Sequence, residues 1–178
     1  MDEPMSFFRN REAIESRRRK QKRIFIDERA IFYLNLHIHC AVGIDNPTLY
    51  PTVSRRHYFV RFWVKPDEGE RFTTNTVEGR LDPCWNQKGM ILLGNTCDDY
   101  DFLYVEVVRE GPSVEPETSD CYTVVGRANV PLPMEVNAAK TESIGLVRFK
   151  DGEVKGEGFI VLSMELQKRT LSPRYLFG

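Results

Sequence analysis

The sequence predicts an all-β protein, an eight-stranded antiparallel β-sandwich with a short basic N-terminal arm. Three observations carry that prediction. Apolar residues recur with a period of two, turn-forming residues break the chain at intervals, and no convincing helix separates the resulting segments. Parallel strands need long crossovers, which such a chain does not supply, so antiparallel pairing is favoured.

The first strand is the clearest. From Ile31 to Cys40, Phe32, Leu34, Leu36 and Ile38 alternate with Tyr33, Asn35, His37 and His39, so one face is apolar and the other polar. Tyr58 to Lys65 is the second strand and stops at Pro66-Asp67-Glu68-Gly69. Arg71 to Val77 is rich in β-branched Thr and closes at Gly79. Met90 to Leu93 is short and apolar, and Phe102 to Val108 runs up to the break at Gly111-Pro112. Tyr122 to Val130, Ile144 to Phe149 and Gly158 to Leu166 complete the eight. The expected core includes Phe32, Leu34, Leu36, Ile38, Val60, Phe62, Val64, Val105 and Val107. The expected organisation is a basic arm, flexible or a short helix, over residues 1–28, the sandwich over 29–168 and a tail over 169–178.

Composition agrees with this reading. The 178 residues are 41% hydrophobic, enough for a core without covalent staples. Eleven Phe, seven Tyr and two Trp suit pleated surfaces. Cys40, Cys84, Cys97 and Cys121 form no CxxC pair and no zinc-like spacing, and read as reduced thiols of an intracellular protein. No apolar run approaches the roughly 20 residues of a membrane span, and the charged N-terminus has no signal-peptide segment. The expected location is cytoplasmic, peripheral at a membrane or nuclear. Net charge is −1, but from Arg9 to Arg23 eight basic residues oppose only Glu12 and Glu15. That segment carries +6, so the rest of the chain carries −7. A basic arm sits on an acidic body.

The middle of the chain has a recognisable order of motifs. Phe59-Val60-Arg61-Phe62-Trp63-Val64 precedes a Thr-rich strand, then Leu81-Asp82-Pro83-Cys84-Trp85-Asn86-Gln87. Leu103-Tyr104-Val105-Glu106-Val107 follows, then Val125-Gly126-Arg127-Ala128-Asn129-Val130-Pro131-Leu132. This series, spanning Phe32 to Leu166, resembles the C2 domain family, and most closely its short single-domain plant members. The resemblance implies a β-sandwich and a role in membrane or protein binding. Trp85 and Asn86 are expected to be structural, the ring anchoring a turn and the amide capping backbone groups.

Many members of that family bind calcium between loops at one end of the sandwich, and calcium takes six to eight oxygen ligands. Where the family has an Asp before its second strand, this chain has His57. Where the family has Asp-x-Asp after the strand of the Leu103–Val107 kind, it has Arg109-Glu110-Gly111. Asp45 stands where an upstream ligand belongs, with Asp120 a weaker candidate for residual calcium binding. An arginine about 4 Å from a unit positive charge costs on the order of 4 kcal/mol at a surface-like dielectric. The expectation is therefore a calcium-independent module with no metal and no cofactor. The acidic run Asp98-Asp99-Tyr100-Asp101 lacks EF-hand spacing and reads as a solvated turn.

An enzyme is not expected. His37 and His39 share one strand face, but no third zinc ligand is placed beside them. Neither Cys84 nor Cys121 has the surroundings of a nucleophile, and no glycine-rich phosphate loop is present.

Two surfaces remain as candidates for binding. The arm residues Arg17, Arg18, Arg19, Lys20, Lys22 and Arg23 suit anionic lipid or an acidic partner, a nuclear or nucleic-acid contact, or merely a solvated tail. On the second strand, alternation puts Phe59, Arg61, Trp63 and Lys65 on the face opposite the core, with Arg71 starting the next strand. In C2 domains a basic patch on these strands binds phosphoinositide head groups or acidic proteins, and the resemblance carries that role to Arg61. The reading is a non-enzymatic, calcium-independent module docking on anionic phospholipid or on a protein partner. An adaptor role without lipid is the alternative, and a nucleic-acid contact through the arm is third, since the acidic body opposes it.

Overall fold

The computed structural model describes residues 30–53, 56–64, 70–79, 82–95, 100–111 and 122–170. All regular structure among them is strand: β1 (Ala30–Val42), β2 (His57–Trp63), β3 (Phe72–Thr73), β4 (Val77–Glu78), β5 (Cys84–Gly94), β6 (Phe102–Glu110), β7 (Tyr122–Pro131), β8 (Lys140–Lys150) and β9 (Glu153–Thr170). They join in the order β3-β2-β6-β7-β8-β9-β1-β5, with β4 also pairing with β2, and each of these strand pairs is antiparallel.

The sheet curls at β7 and β8, which share one registered pair, Arg127↔Val147. Gly126 makes that bend possible, because a Cβ there would lie 2.9 Å from the Leu146 Cβ. Strands β2, β6 and β7 then face β8, β9, β1 and β5 across a single core. All nine residues expected in the core are buried in it, with Tyr58, Trp85, Leu103, Ile160 and Leu162 beside them. Alternation predicted this because opposite faces of a strand meet different solvents, and one face of β1 and β2 is apolar throughout. Trp85 spans the two layers, its Nε1 donating to the Tyr58 carbonyl at 3.0 Å.

Three elements differ from expectation. The Thr-rich segment is split into β3 and β4 at Thr74: its amide still donates to the Val60 carbonyl at 2.9 Å, but its Oγ1, in place of its carbonyl, accepts from the Val60 amide at 2.9 Å and donates to the Asn75 carbonyl at 3.0 Å. The segment expected as a turn at Trp85-Asn86 lies within β5. Asn86 has φ 47° there, where the register of β5 against β1 shifts, so the kink is a bulge inside the strand. Strands β8 and β9 run well past their expected ends, joined by Asp151-Gly152 with φ 52° and 76°. Two consecutive positive φ values make the tight turn whose twist matches a hairpin. At its far end β9 pairs Thr170 with Ala30, two residues beyond the expected domain limit at 168.

Candidate functional site

The end of the sandwich where β1 stops, β2 starts and β6 and β8 stop carries a buried ionic cluster centred on Asp45. The chain leaves β1 through Gly43 (φ 71°) and turns inward at Asp45 (φ 46°), a left-handed conformation that Asp tolerates better than most residues. Gly158 of β9 permits this: with φ 74°, a Cβ there would lie 2.2 Å from the Val42 carbonyl oxygen. The close approach lets the Asp45 amide donate to Glu157 Oε1 at 2.8 Å.

Each oxygen of the Asp45 carboxylate has a guanidinium partner. Arg109, at the end of β6, donates to Oδ2, and Arg148, near the end of β8, donates to Oδ1 at 2.7 Å. The Tyr58 hydroxyl also donates to Oδ2, at 3.1 Å. Arg148 reaches Glu157 at 3.2 Å and lies 4.1 Å from the centre of the Tyr50 ring. Arg56 donates to the Asp45 carbonyl at 2.6 Å and closes the loop over the cluster. Asp45 is 0% exposed, and Arg109, Arg148 and Glu157 are also buried. These last four charges sum to zero, which is what permits their burial.

The electrostatics follow from the packing. Burial pushes the Asp45 carboxyl upward, but the charges and hydrogen bonds of Arg109 and Arg148 outweigh it and hold the group below its ordinary value. Burial works against the charge on Arg148 too, yet the hydrogen bond and charge of Asp45 raise it above its ordinary value. Burial first, then the Asp45 charge, pushes the Tyr58 hydroxyl up to about 12. The candidate calcium residue and the expected repelling arginine are thus in direct contact. Sequence reasoning noticed Asp45 and Arg109 but missed Arg148 and Glu157. The signal for Arg148 was present, since Leu146 is an inward position of β8 and Arg148 follows it by two, whereas Glu157 lies just before the expected strand from Gly158.

The β2 face is a shallower arrangement. Tyr58, Val60, Phe62 and Val64 point into the core as expected. Arg61 and Trp63 are half-buried and Arg71 is exposed. The expectation of an exposed Phe59 fails: it is buried, because the Tyr122 ring packs edge-on against it at 5.6 Å. Trp63 stacks on Tyr104 at 5.7 Å, with Arg71 4.9 Å from its ring centre. Arg61 lies 3.5 Å from Glu106, which also binds Arg127 at 2.9 Å. The arm residues Arg17, Arg18, Arg19, Lys20, Lys22 and Arg23, together with Lys65 and Asp120, lie outside the described residues.

A feature not expected from the sequence lies on the outer face near the Asp45 end. Register places Val42 opposite Phe159, Phe159 opposite Gly145, and Phe149 opposite Val154, with Val147 two residues from Phe149. All five apolar side chains are exposed, Phe149 to 60%. Lys150 and Lys155 border the hairpin tip, and Arg127 lies 5.8 Å from the Phe149 ring centre. Farther down that face, His37 bonds Asn86 at 2.7 Å and His39 bonds Ser163 at 2.7 Å. Burial and then the neighbouring His37 lower the His39 pKa. No group of three or more metal-ligating side chains is present among the described residues, nor is a helix long and apolar enough to cross a membrane.

Among solved structures, the fold matches a C2 domain of plant extended synaptotagmin 1 with a TM-score of 0.58 and 17% identity, covering 80% of this chain and 98% of that one. It matches human GIVD cytosolic phospholipase A2 with a TM-score of 0.54 and 12% identity, over 78% of this chain but only 18% of the enzyme. CC2D1B matches with a TM-score of 0.51 and 13% identity, over 89% of this chain and 69% of that protein. None of the curated proteins compared with this sequence is a detectable relative. The sequence model of the C2 domain matches residues 32–145, more than half of the chain. With the curled antiparallel sheet and the order of motifs, that match establishes that the chain belongs to the C2 domain family.

Proposed function

We propose that this chain is a non-catalytic, calcium-independent C2 module that docks on anionic membrane surfaces. The observation that carries the reading is the double engagement of Asp45 by Arg109 and Arg148. A divalent cation there would have to displace two buried guanidiniums and would leave them facing positive charge. The exposed strip of Val42, Val147, Phe149, Val154 and Phe159, with the Arg127 guanidinium 5.8 Å from the Phe149 ring centre, supports a lipid surface as the partner. The basic arm supplies long-range attraction of about 1 kcal/mol per charge near an anionic leaflet, and Arg61 and Arg71 a second basic surface. A protein partner is the rival reading, favoured by the partial neutralisation of Arg61 by Glu106. The module would work in the cytoplasm at a membrane periphery.

The test is co-sedimentation with phosphatidylserine vesicles, with and without calcium, across a salt series. Binding should be equal with calcium and with chelator, and should weaken steeply above physiological salt, where the Debye length is about 8 Å. Serine at Arg17, Arg18, Arg19, Lys20, Lys22 and Arg23 should abolish it while leaving the melting temperature unchanged. Calcium-dependent binding, or a rise in melting temperature with added calcium, would refute calcium independence. If no vesicle binding occurs at any salt, the protein-adaptor reading takes its place.

A further inference from the structure

We propose that Cys40 and Cys84 are a redox modification site, joined into a reversible intramolecular disulfide by exchange with a low-molecular-weight disulfide of the glutathione type. The two residues are direct cross-strand partners between β1 and the edge strand β5. The backbone fixes which kind of pair they are. The Ala41 amide donates to the Pro83 carbonyl at 3.0 Å, so the bond forms between the residue after Cys40 and the residue before Cys84. That pattern belongs to a non-hydrogen-bonded antiparallel pair, the narrow type, whose Cα atoms lie about 4.5 Å apart with side chains closest. A disulfide needs a Cα separation of about 4.4–6.8 Å, so this pair meets the requirement without moving the backbone.

The side chains are disposed accordingly. Both are free thiols, Cys84 exposed and Cys40 half-buried. The register shift after Ile38 turns Cys40 outward beside His39, and Trp85 takes the inward position, leaving Cys84 outward. Burial and then the adjacent Cys84, with which it shares a hydrogen bond, push the Cys40 thiol up. Cys84 is therefore the entry point. Its thiolate attacks one sulfur of the small disulfide, forming a mixed disulfide and releasing one thiol. Cys40 loses its proton to water and attacks the Cys84 sulfur, which releases the second thiol. The two cysteine sulfurs lose two electrons and the small disulfide gains them. Because Asp82 Oδ1 accepts from the Gly43 amide at 3.0 Å, the bond would fasten the foot of the Asp45 loop to the start of β5.

The experiment uses the full chain incubated with oxidised glutathione, quenched in acid, alkylated and mapped by mass spectrometry without reduction. The expected result is a Cys40–Cys84 cross-linked peptide, loss of both thiols from the alkylatable pool, and their full return on treatment with dithiothreitol. Cys40→Ser should trap glutathione on Cys84, and Cys84→Ser should leave Cys40 alkylatable. Circular dichroism checks that both variants fold, and if either does not, the wild-type map decides alone. The proposal is overturned if Cys40 and Cys84 both remain alkylatable, if Cys84 pairs with Cys97 or Cys121, or if the parent holds the same glutathione adduct as Cys40→Ser.

Discussion

The Asp45 cluster and the β2 face are built from the same residue types and behave as opposites. At the Asp45 end, two arginines and two carboxylates are withdrawn from water, and every charge is matched within the protein. On the β2 face, Glu106 binds two arginines as well, but the side chains of Arg61 and Arg127 remain 28% and 47% exposed. Water screens the second arrangement and not the first. An arginine beside a carboxylate is thus a structural element when both are buried, and remains available to a partner when they are not.

Disrupting the buried cluster should have the largest effect. Asp45→Asn leaves Arg109 and Arg148 without their shared anion, and chemical denaturation should show a loss of about 3–5 kcal/mol. The same carboxylate dictates the acid response. Its folded pKa is depressed, so its contribution is present above the ordinary carboxylate value of 3.8 and fades as pH falls through the lower folded value. Melting curves of the parent should therefore drop more steeply below about pH 4 than those of the Asn variant.

Tyr58→Phe removes a buried hydrogen bond to a charged oxygen, and should cost about 1.5–3 kcal/mol. It also tests the alkaline limb. A tyrosine raised from 10 to about 12 contributes stability that is complete below pH 10 and is lost as pH rises toward 12. Stability of the parent should decline across that interval, and the Phe variant should lack this component.

Arg61→Gln is the smallest expected change, about 1 kcal/mol or less, because the Arg61 guanidinium is partly exposed and Arg127 still pairs with the buried Glu106 when it is gone. Vesicle binding by this variant separates the two regions further. A clear loss of binding with unchanged stability would make the β2 face a contact surface, and unchanged binding would leave the contact to the arm and the outer apolar strip.

The inward face of β1 and β2 was legible in the sequence, because period-two alternation admits only one register once a core exists. So was the family, through motifs whose order survives in the chain. The strands Ile144–Phe149 and Gly158–Leu166 were legible too, but neither the tight turn at Asp151-Gly152 that joins them nor their full length was. Their outer residues are apolar, so alternation fades where Val147, Phe149, Val154 and Phe159 stand exposed. The fate of the charges emerged only in three dimensions. Asp45 and Arg109 lie on stretches of chain far from the β8–β9 hairpin that carries Arg148 and Glu157, and Gly158 lets the Asp45 loop meet that hairpin through a backbone approach that no local pattern encodes. Likewise Phe59 has the alternation of an outward residue, but the edge of Tyr122 buries it. A strand's own residues dictate which way a side chain points, and the neighbouring strands dictate whether it meets water.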